Sequence, residues 1–229
     1  DVVRPRLLAG LPERGRIILG EPGLGKSSLA RRIARDAAAA GDWVTPQLRI
    51  PAGTDPIKRV ADALLGLADA AGLTTGRESR IAAALARVES VSVSGSGLTL
   101  ARSKGPEPYR ALFDLLLEIG RAAIAHGNAV LIHLDEMQNI SDANVLSQLL
   151  VAFGDAIVHE EEVEAPGGAL IRRTLPIAVY LTGLPDFAYF VDARRGATFA
   201  RRFKASVLSA ISDDDLTAAL LEFVTRGWE

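Results

Sequence analysis

A glycine-rich segment near the N-terminus has the residue types and the order needed to bind a phosphate group. It contains Gly20, Glu21, Pro22, Gly23, Leu24, Gly25, Lys26 and Ser27, followed by Ser28. The glycines allow a tight turn whose backbone N–H groups point at an anion, and the helix that follows adds the positive end of its dipole. Lys26 is placed to reach the β- and γ-phosphates of a nucleotide, and the Ser27 hydroxyl to bind Mg²⁺. The spacing therefore predicts that residues 20–28 bind a nucleotide.

A pair of acidic residues ends a second segment of interest. Asp135 and Glu136 follow the run Ala129–Leu134, which is apolar apart from His133 and predicts a strand buried on both faces. A carboxylate at this position can hold Mg²⁺ through its water shell beside Ser27, so we expect Asp135 to be a metal ligand. Glu136 can accept a proton from a water that attacks the γ-phosphate. The pair therefore predicts hydrolysis as well as binding.

Two polar residues within apolar segments are weaker candidates. Thr182 follows the segment Ile177–Leu181, where its hydroxyl would contact the γ-phosphate or orient the attacking water. The alternative is an ordinary threonine at the end of a strand. His133 shares a strand face with Asp135, but a lone histidine in an apolar strand is more typical of a packed core than of a metal site. We therefore expect His133 to be a core residue.

A basic segment lies near the C-terminus. It contains Arg194, Arg195, Arg201, Arg202 and Lys204. Three interpretations are open from the residues alone: a solvated basic face, a patch for nucleic acid, and an arginine finger offered to a neighbouring subunit. Because the net charge of the protein is −2, binding of nucleic acid by this segment alone would be weak and sensitive to salt.

The composition limits the class of protein. With 229 residues, 48% of them hydrophobic, the chain is long enough to form one large domain with a substantial core. It has no cysteine, which excludes disulfides, thiolate metal sites and a cysteine nucleophile and fits a reducing cytoplasm. No apolar run approaches the roughly 18 residues of a membrane span. We therefore expect a cytoplasmic protein that does not contact a membrane.

Strands and helices alternate along the sequence. Apolar runs predict strands at 17–19, 43–50, 129–134, 177–181 and 205–208. Periodic patterns predict helices at 28–40, 56–71, 109–125, 145–157 and 213–224. This alternation predicts an α/β fold, a three-layer α/β/α domain with a central parallel sheet. The glycine-rich segment, the acidic pair and Thr182 each follow a strand, so we expect them to meet at the carboxyl edge of one sheet.

Other segments are less regular. Residues 1–15 are expected to be an irregular lead-in, and residues 72–106 to carry a short helix at Arg80–Val88 and a small hairpin at Val91–Leu100. Ser141 is the expected N-cap of the helix at 145–157. Residues 159–168 are expected to form a solvated helix end and an exposed loop.

Taken in order, these motifs resemble those of a known family. The glycine-rich segment, residues 132–138 (IHLDEMQ) and residues 182–185 (TGLP) resemble an AAA+ P-loop ATPase. The closer likeness is to bacterial proteins with an AAA ATPase domain, related to archaeal ATPases and origin-recognition initiators. Residues 198–203 (TFARRF) are similar to the aromatic-Ala-x-Arg segment of that group, and residues 208–221 resemble its entrance to a helical lid. The resemblance covers residues 10–225.

The resemblance implies an ATP site with Mg²⁺, formed by the four residues Lys26, Ser27, Asp135 and Glu136. Thr182 falls at the first sensor position, where the family often has asparagine. Arg202 matches the arginine that acts in trans better than Arg201 does. The resemblance also implies a nucleotide-binding α/β domain at residues 1–209 and the start of a C-terminal helical lid at residues 210–229. We expect this lid to be truncated, because the family continues into further helices with a second sensor arginine.

Three functions follow from these observations. The first is an ATPase that binds ATP and Mg²⁺, self-associates, and uses hydrolysis to ADP to remodel or load a protein partner or DNA. The second is a nucleotide-gated interaction or switch module with little turnover. The third is a small-molecule kinase that uses the same glycine-rich segment. The acidic pair favours the first function, the short lid favours the second, and Thr182 with the late arginines disfavours the kinase.

Overall fold

The computed structural model describes residues 2–51, 53–73, 83, 108–187 and 202–226. The strands in these ranges are β1 (Gly15–Leu19), β2 (Trp43–Val44), β3 (Leu48–Arg49), β4 (Val130–Asp135), β5 (Glu160–Glu164), β6 (Leu170–Thr174), β7 (Ile177–Gly183) and β8 (Phe203–Val207). The helices are α1 (Val3–Leu8), α2 (Lys26–Ala39), α3 (Pro56–Ala70), α4 (Pro108–His126), α5 (Ala143–Val158) and α6 (Asp213–Arg226). A short 3₁₀ helix, Met137–Asn139, follows β4.

Six of the described strands form one parallel sheet. Its order is β2-β4-β7-β1-β8, and β3 pairs with β4 beyond the end of β2. All the pairings are parallel. Neighbouring strands in a parallel sheet cannot be joined by tight turns, and the helices between them provide the crossovers. The sheet confirms the predicted α/β fold with a central parallel sheet.

The two faces of the sheet differ in character. Ile132 and Leu134 of β4 belong to the main apolar cluster, together with the buried faces of α3, α4 and α5. Leu131 and His133 are also buried but lie outside that cluster. Successive side chains of a strand point to opposite faces, and α2 contacts β2, β4 and β7. The sheet therefore has an apolar layer of three helices on one face and α2 on the other.

Helix boundaries follow local capping chemistry. At the start of α3 the Asp55 carboxylate accepts hydrogen bonds from the N–H groups of Ile57 and Lys58, and Pro56 is the first helical residue, where its missing N–H costs nothing. Asp142 caps α5 in the same way, so the expected cap at Ser141 was wrong by one residue. The first turn of α6 carries three aspartates, as expected from the helix dipole.

Two expectations for the N-terminal part of the chain were wrong. The lead-in contains helix α1, whose Leu7 is buried. The expected strand at 43–50 is two strands, β2 and β3, separated by residues 45–47. Pro46 lies in this gap and has no N–H to donate to a sheet. After the break, Leu48 is buried in the core and Arg49 is exposed.

The expected helix end at residues 159–164 is also wrong. Residues 160–164 form β5, which pairs antiparallel with β6. The register places Glu162 opposite Arg172, and the Arg172 Nε lies 3.8 Å from Glu162 Oε1. Such a cross-strand pair of opposite charge stabilises a hairpin. A run of glutamates has little strand propensity by itself, so the pairing with a later basic strand decides the structure.

Some expectations concern residues outside the described ranges. These are the helix at Arg80–Val88, the hairpin at Val91–Leu100, and the cations Arg194, Arg195 and Arg201. Among the described residues, no helix combines the length and the apolar character needed to cross a membrane.

Candidate functional site

Three loops meet at the carboxyl edge of the sheet. Leu19 of β1 pairs with Gly183 of β7, and Leu134 of β4 pairs with Leu181 of the same strand. The ends of β1, β4 and β7 are therefore level with one another. This alignment brings the glycine-rich segment, the acidic pair and Thr182 together, as the sequence predicted.

The glycine-rich segment forms an open turn between β1 and α2. Gly23 and Gly25 have φ angles of 87° and 84°, a left-handed conformation that strains residues with a Cβ. A Cβ at either position would meet no atom within 4 Å, so space is open beside the loop. The first N–H groups of a helix have no intrahelical acceptor. The turn and the start of α2 thus provide a concave site for an anion.

Lys26 lies across this turn. Its Nζ donates hydrogen bonds to the backbone carbonyl oxygens of Gly20, at 2.7 Å, and Glu21, at 2.9 Å. The ammonium group is therefore held beside the loop without a carboxylate partner among the described residues. A phosphate placed in the turn would lie within reach of a cation that already faces it.

Asp135 is the centre of the side-chain contacts at this edge. The residue is 1% exposed, and the Ser27 hydroxyl lies 3.1 Å from its Oδ1 and 3.0 Å from its Oδ2. Burial by itself would raise the pKa of the Asp135 carboxyl. Hydrogen bonds to the carboxylate outweigh burial and hold this pKa below its usual value; the donors are Thr182, Ser27, Arg49 and Gln47. Asp135 is therefore ionised in this site.

Two of these donors, Gln47 and Arg49, were not identified from the sequence. The Gln47 side-chain amide and the Arg49 Nε both donate to Oδ2 of Asp135, the second at 3.3 Å. The two residues flank Leu48: Gln47 directly precedes the short strand β3, and Arg49 ends it. The signal available in the sequence was a pair of polar residues, Gln47 and Arg49, on either side of an apolar residue. This pattern indicates a contact with Asp135 only when the strand that pairs with the segment is known.

Glu136 adopts an unusual backbone conformation. Its φ and ψ are 60° and 51°, and among the described residues it is the only non-glycine residue with a positive φ. Such a left-handed residue costs about 1–3 kcal/mol and persists where its surroundings enforce it. Its N–H donates to Thr182 Oγ1 at 3.2 Å, and Asn139 Nδ2 donates to Glu136 Oε2 at 3.3 Å. The sequence did not identify Asn139.

Thr182 connects the two acidic residues. It is fully buried, its Oγ1 donates to Oδ1 of Asp135, and the same oxygen accepts the N–H of Glu136. In this structure the Thr182 hydroxyl therefore makes both of these hydrogen bonds with the acidic pair. Contact of Thr182 with a γ-phosphate remains a prediction.

Arg202 lies at the amino ends of the strands, on the side of the sheet opposite the glycine-rich segment. It immediately precedes Phe203, which pairs with Gly15 at the amino end of β1, whereas the glycine-rich segment follows the carboxyl end of that strand. The Arg202 Nη1 pairs with Oδ1 of Asp155 on α5, and a Cβ at Gly154 would lie 2.8 Å from Arg202 Cδ. The structure does not bring Arg202 to the glycine-rich segment of its own chain. A role in trans remains a prediction.

His133 is a core residue, as expected. It is 1% exposed, and neither ring nitrogen has a hydrogen-bond partner. Burial lowers the pKa of the His133 imidazole, and nearby Arg31 lowers it further, against the attraction of Asp135. The imidazole is therefore a neutral group with two unsatisfied buried atoms, an arrangement that costs stability.

We expect the substitution His133→Leu to stabilise the fold. Leucine has a similar volume and removes the unsatisfied nitrogen atoms, which predicts a gain of about 1 kcal/mol in the free energy of unfolding. Urea denaturation followed by circular dichroism measures this gain. His133→Gln, which keeps polar atoms at the same place, is the matched control and should give no gain. Equal stability of the wild type and His133→Leu would contradict the expectation.

The residues present fit a bound Mg²⁺. Ser27 and Asp135 place a hydroxyl and an ionised carboxylate side by side, and oxygen atoms are the ligands that Mg²⁺ prefers. Among the described residues, no group of three or more His, Cys, Asp or Glu side chains is arranged to hold a metal. A Mg²⁺ at this place would therefore take its remaining ligands from water and phosphate, as it does in nucleotide sites.

Comparison with known proteins supports the fold. No protein-family model matches the sequence, and no curated protein matches it. Among solved structures, the ORC2 protein of Aeropyrum pernix in its ADPNP–ADP complexes is similar with 17% identity and a TM-score of 0.53, over 100% of this chain and 51% of that chain. The ADP form of ORC2 is similar with 17% identity and a TM-score of 0.50, over 98% and 50% of the two chains.

A third similar structure is that of the ORC1 protein of Aeropyrum pernix in complex with DNA. It has 16% identity and a TM-score of 0.50, over 98% of this chain and 47% of that chain. This chain thus spans about half the length of each of the three solved chains. At this identity the likeness shows the fold alone, an α/β fold like that of the ORC1 and ORC2 proteins.

Proposed function

We propose that this chain is an ATPase of the AAA+ type, which binds ATP with Mg²⁺ and hydrolyses it to drive the remodelling or loading of a partner. The contact between Ser27 and Asp135, at 3.0 Å, carries the proposal. It joins the glycine-rich segment to a buried, ionised carboxylate from a strand more than a hundred residues later. A nucleotide site with Mg²⁺ needs this combination of an anion-binding turn and a metal-binding pair.

Different residues of the site bind the phosphates and the metal. The N–H groups of residues 23–28 surround the phosphates, and Lys26 exchanges its contacts with loop carbonyls for contacts with the β- and γ-phosphates. Ser27 and Asp135 hold the Mg²⁺. When bound, the metal neutralises negative charge on the phosphate oxygens.

Glu136 accepts the proton of the attacking water in this proposal. Its side chain is partly exposed and follows the buried Asp135 directly, so the two carboxylates serve different tasks. Asn139 orients the Glu136 carboxylate through its side-chain amide, and Thr182 fixes the backbone between the two acids.

The partner is inferred from the similar solved structures and from the charge of the chain. ORC2 was solved with nucleotides and ORC1 with DNA, which supports a nucleotide for this chain and a DNA or protein partner. The net charge of −2 requires that any contact with DNA be made by a local patch. Self-association is proposed because Arg202 is remote from the glycine-rich segment of its own chain. As an arginine finger it would therefore act on the site of a neighbouring subunit.

The second candidate is a nucleotide-gated interaction module with little turnover. The contact between Arg202 and Asp155 favours it, because that contact engages the residue proposed to complete a neighbouring site. The steady-state ATPase rate against protein concentration, with and without DNA, separates the two candidates. A rate per subunit that rises with concentration supports the ATPase, and an absent rate at all concentrations supports the module.

Substitution of Lys26 tests the nucleotide site itself. Lys26→Ala should weaken binding of a fluorescent ATP analogue at least about tenfold, because the turn loses the cation that faces the phosphates. Lys58→Ala on the exposed side of α3 makes the same change of charge away from the turn and should bind normally. Equal affinities of Lys26→Ala and the wild type would place the nucleotide elsewhere and contradict the proposal.

A further inference from the structure

The Asp135 carboxylate has more hydrogen-bond donors than the proposed reaction uses. Its Oδ2 atom accepts from the Ser27 hydroxyl at 3.0 Å, from Arg49 Nε at 3.3 Å and from the Gln47 amide. A carboxylate oxygen has two lone-pair directions. The single Ser27 proton is shared between Oδ2 and Oδ1, which lies 3.1 Å from the hydroxyl, so Arg49 and Gln47 fill the acceptor capacity of Oδ2. Of the three, only Ser27 belongs to the metal-binding pair.

Strand β3 determines where the two additional donors lie. Leu48 pairs with Leu134, and Arg49 pairs with Asp135 itself. Leu48 is buried in the main apolar cluster, so the side chains on either side of it, Gln47 and Arg49, turn to the opposite face. That face is the one on which the Asp135 carboxylate lies. The register of the sheet therefore fixes the Arg49 contact, and the segment that enters β3 brings Gln47 to the same carboxylate.

Arg49 also supplies the charge that Asp135 needs. An ionised carboxylate that is 1% exposed is unfavourable unless a cation or several donors compensate it. Among the described residues, Arg49 is the cation that pairs with Asp135. The Arg49 side chain is 61% exposed, so its guanidinium can swing into solvent without disturbing the core.

A hydrated metal ion would compete for the same carboxylate. Mg²⁺ beside Ser27 would contact Asp135 directly or through its bound waters, and either contact needs a lone pair of the carboxylate. With Gln47 and Arg49 both on Oδ2, a metal can contact this atom only after one of them leaves. Arg49 is the donor that a second cation would also repel.

We propose that Arg49, with Gln47, takes the place of the metal on Asp135 in the nucleotide-free protein and is displaced when Mg²⁺ and nucleotide bind. This inference rests on the proposed nucleotide site. The empty site is stable because Asp135 remains paired, and the pairing raises the Mg²⁺ concentration that the site requires. Only protein in which Asp135 is unpaired can bind the metal. The apparent dissociation constant for the metal therefore rises as the fraction of protein in that state falls.

Binding of Mn²⁺, followed by electron paramagnetic resonance at saturating ADP, tests this inference. Arg49→Met removes the guanidinium and keeps the aliphatic stem, and it should lower the dissociation constant for Mn²⁺ about two- to fivefold, the range expected for release of a partly exposed ion pair. Arg32→Met is the matched control. It breaks an Arg–Asp pair of the same type, Arg32 Nε to Asp36 at 3.0 Å, on an exposed part of α2, and it should leave Mn²⁺ affinity unchanged.

Thermal unfolding supplies a second readout. In EDTA without nucleotide, Arg49→Met should unfold at a lower temperature than the wild type, because Asp135 loses its cation. Mn²⁺ with ADP should remove most of that difference. A purely structural role of Arg49 would lower the unfolding temperature equally under both conditions and would not tighten Mn²⁺ binding.

The outcomes separate this inference from the proposed function. If the wild type binds ADP and a folded Arg49→Met variant binds Mn²⁺ with wild-type or weaker affinity, the inference is overturned and the nucleotide site stands. If the wild type binds no ADP, both are overturned. Arg49→Gln keeps a neutral donor and replaces Arg49→Met if the latter does not fold, with the same expected direction.

Discussion

Replacement of Arg202 by alanine is expected to lower the ATPase rate of the assembled protein about 10³-fold and to leave ATP binding unchanged. A guanidinium that contacts the γ-phosphate stabilises charge that develops in the transition state, and such an arginine is worth about 10³-fold or more in rate. Steady-state hydrolysis and titration with a fluorescent ATP analogue measure the two quantities separately.

The geometry restricts how Arg202 can act. It lies at the amino end of β8, opposite the edge of the sheet that carries the glycine-rich segment, so it has no access to that segment of its own chain. Its side chain is 28% exposed, which leaves part of it accessible to a neighbour. To act as a finger, it must exchange the Asp155 carboxylate for a phosphate of the neighbouring subunit.

Asp155→Asn is the matched control for Arg202→Ala. Both substitutions remove the charge pair between β8 and α5, so a purely structural pair predicts similar losses of stability and activity in the two variants. A finger predicts loss of activity in Arg202→Ala alone, because Asp155→Asn retains the guanidinium and frees it for the neighbour. The ratio of the two ATPase rates therefore separates the two roles.

A mixing experiment tests action in trans. Arg202→Ala keeps an intact pocket, and Lys26→Ala keeps an intact arginine, so a mixture of the two inactive variants should recover part of the activity. The rate of the wild type should also rise faster than linearly with protein concentration. Absence of recovery, with both variants folded and co-assembled, would refute the finger.

Glu136→Gln is expected to reduce hydrolysis about 10²-fold or more and to preserve ATP binding. The amide keeps the shape of the side chain but cannot accept a proton from water. Single-turnover hydrolysis measures the loss, and the affinity for the fluorescent ATP analogue shows whether the site is intact. Glu162→Gln makes the same chemical change on the exposed hairpin and should hydrolyse ATP at the wild-type rate.

Two results would contradict the role of Glu136. Wild-type hydrolysis by Glu136→Gln would assign proton transfer to another group. No Mg²⁺-dependent hydrolysis by the wild type at any concentration would favour the nucleotide-gated module, and it would leave the nucleotide site itself in place.

The sequence determined the elements whose information is local. The turn at Gly23 and Gly25 was predicted because glycines spaced in this way before a lysine and a serine, between a strand and a helix, are typical of a phosphate-binding loop. The parallel sheet was predicted because long helices separate apolar strands, and parallel strands need such crossovers. The meeting of Ser27, Asp135 and Thr182 followed from the rule that parallel strands share one carboxyl edge.

Tertiary structure alone decided the contacts that depend on strand register. Arg49 lies 86 residues before Asp135 in the chain, and no local pattern shows that the two pair across β3 and β4. The glutamates of β5 pair with a strand ten residues later in which Arg172 lies opposite Glu162. In both cases the contact joins two charged side chains from different strands, and each residue by itself is an ordinary charged residue.

The same distinction applies to the candidate site. Residue type and spacing identified the groups that have intrinsic chemistry: the lysine, the serine and the two acids. The groups that position them, Asn139 beside Glu136 and Gln47 beside Asp135, have side chains that are common on any surface. Their roles come from burial and from the direction in which the backbone turns them, and these are fixed only when the strands pack into one sheet.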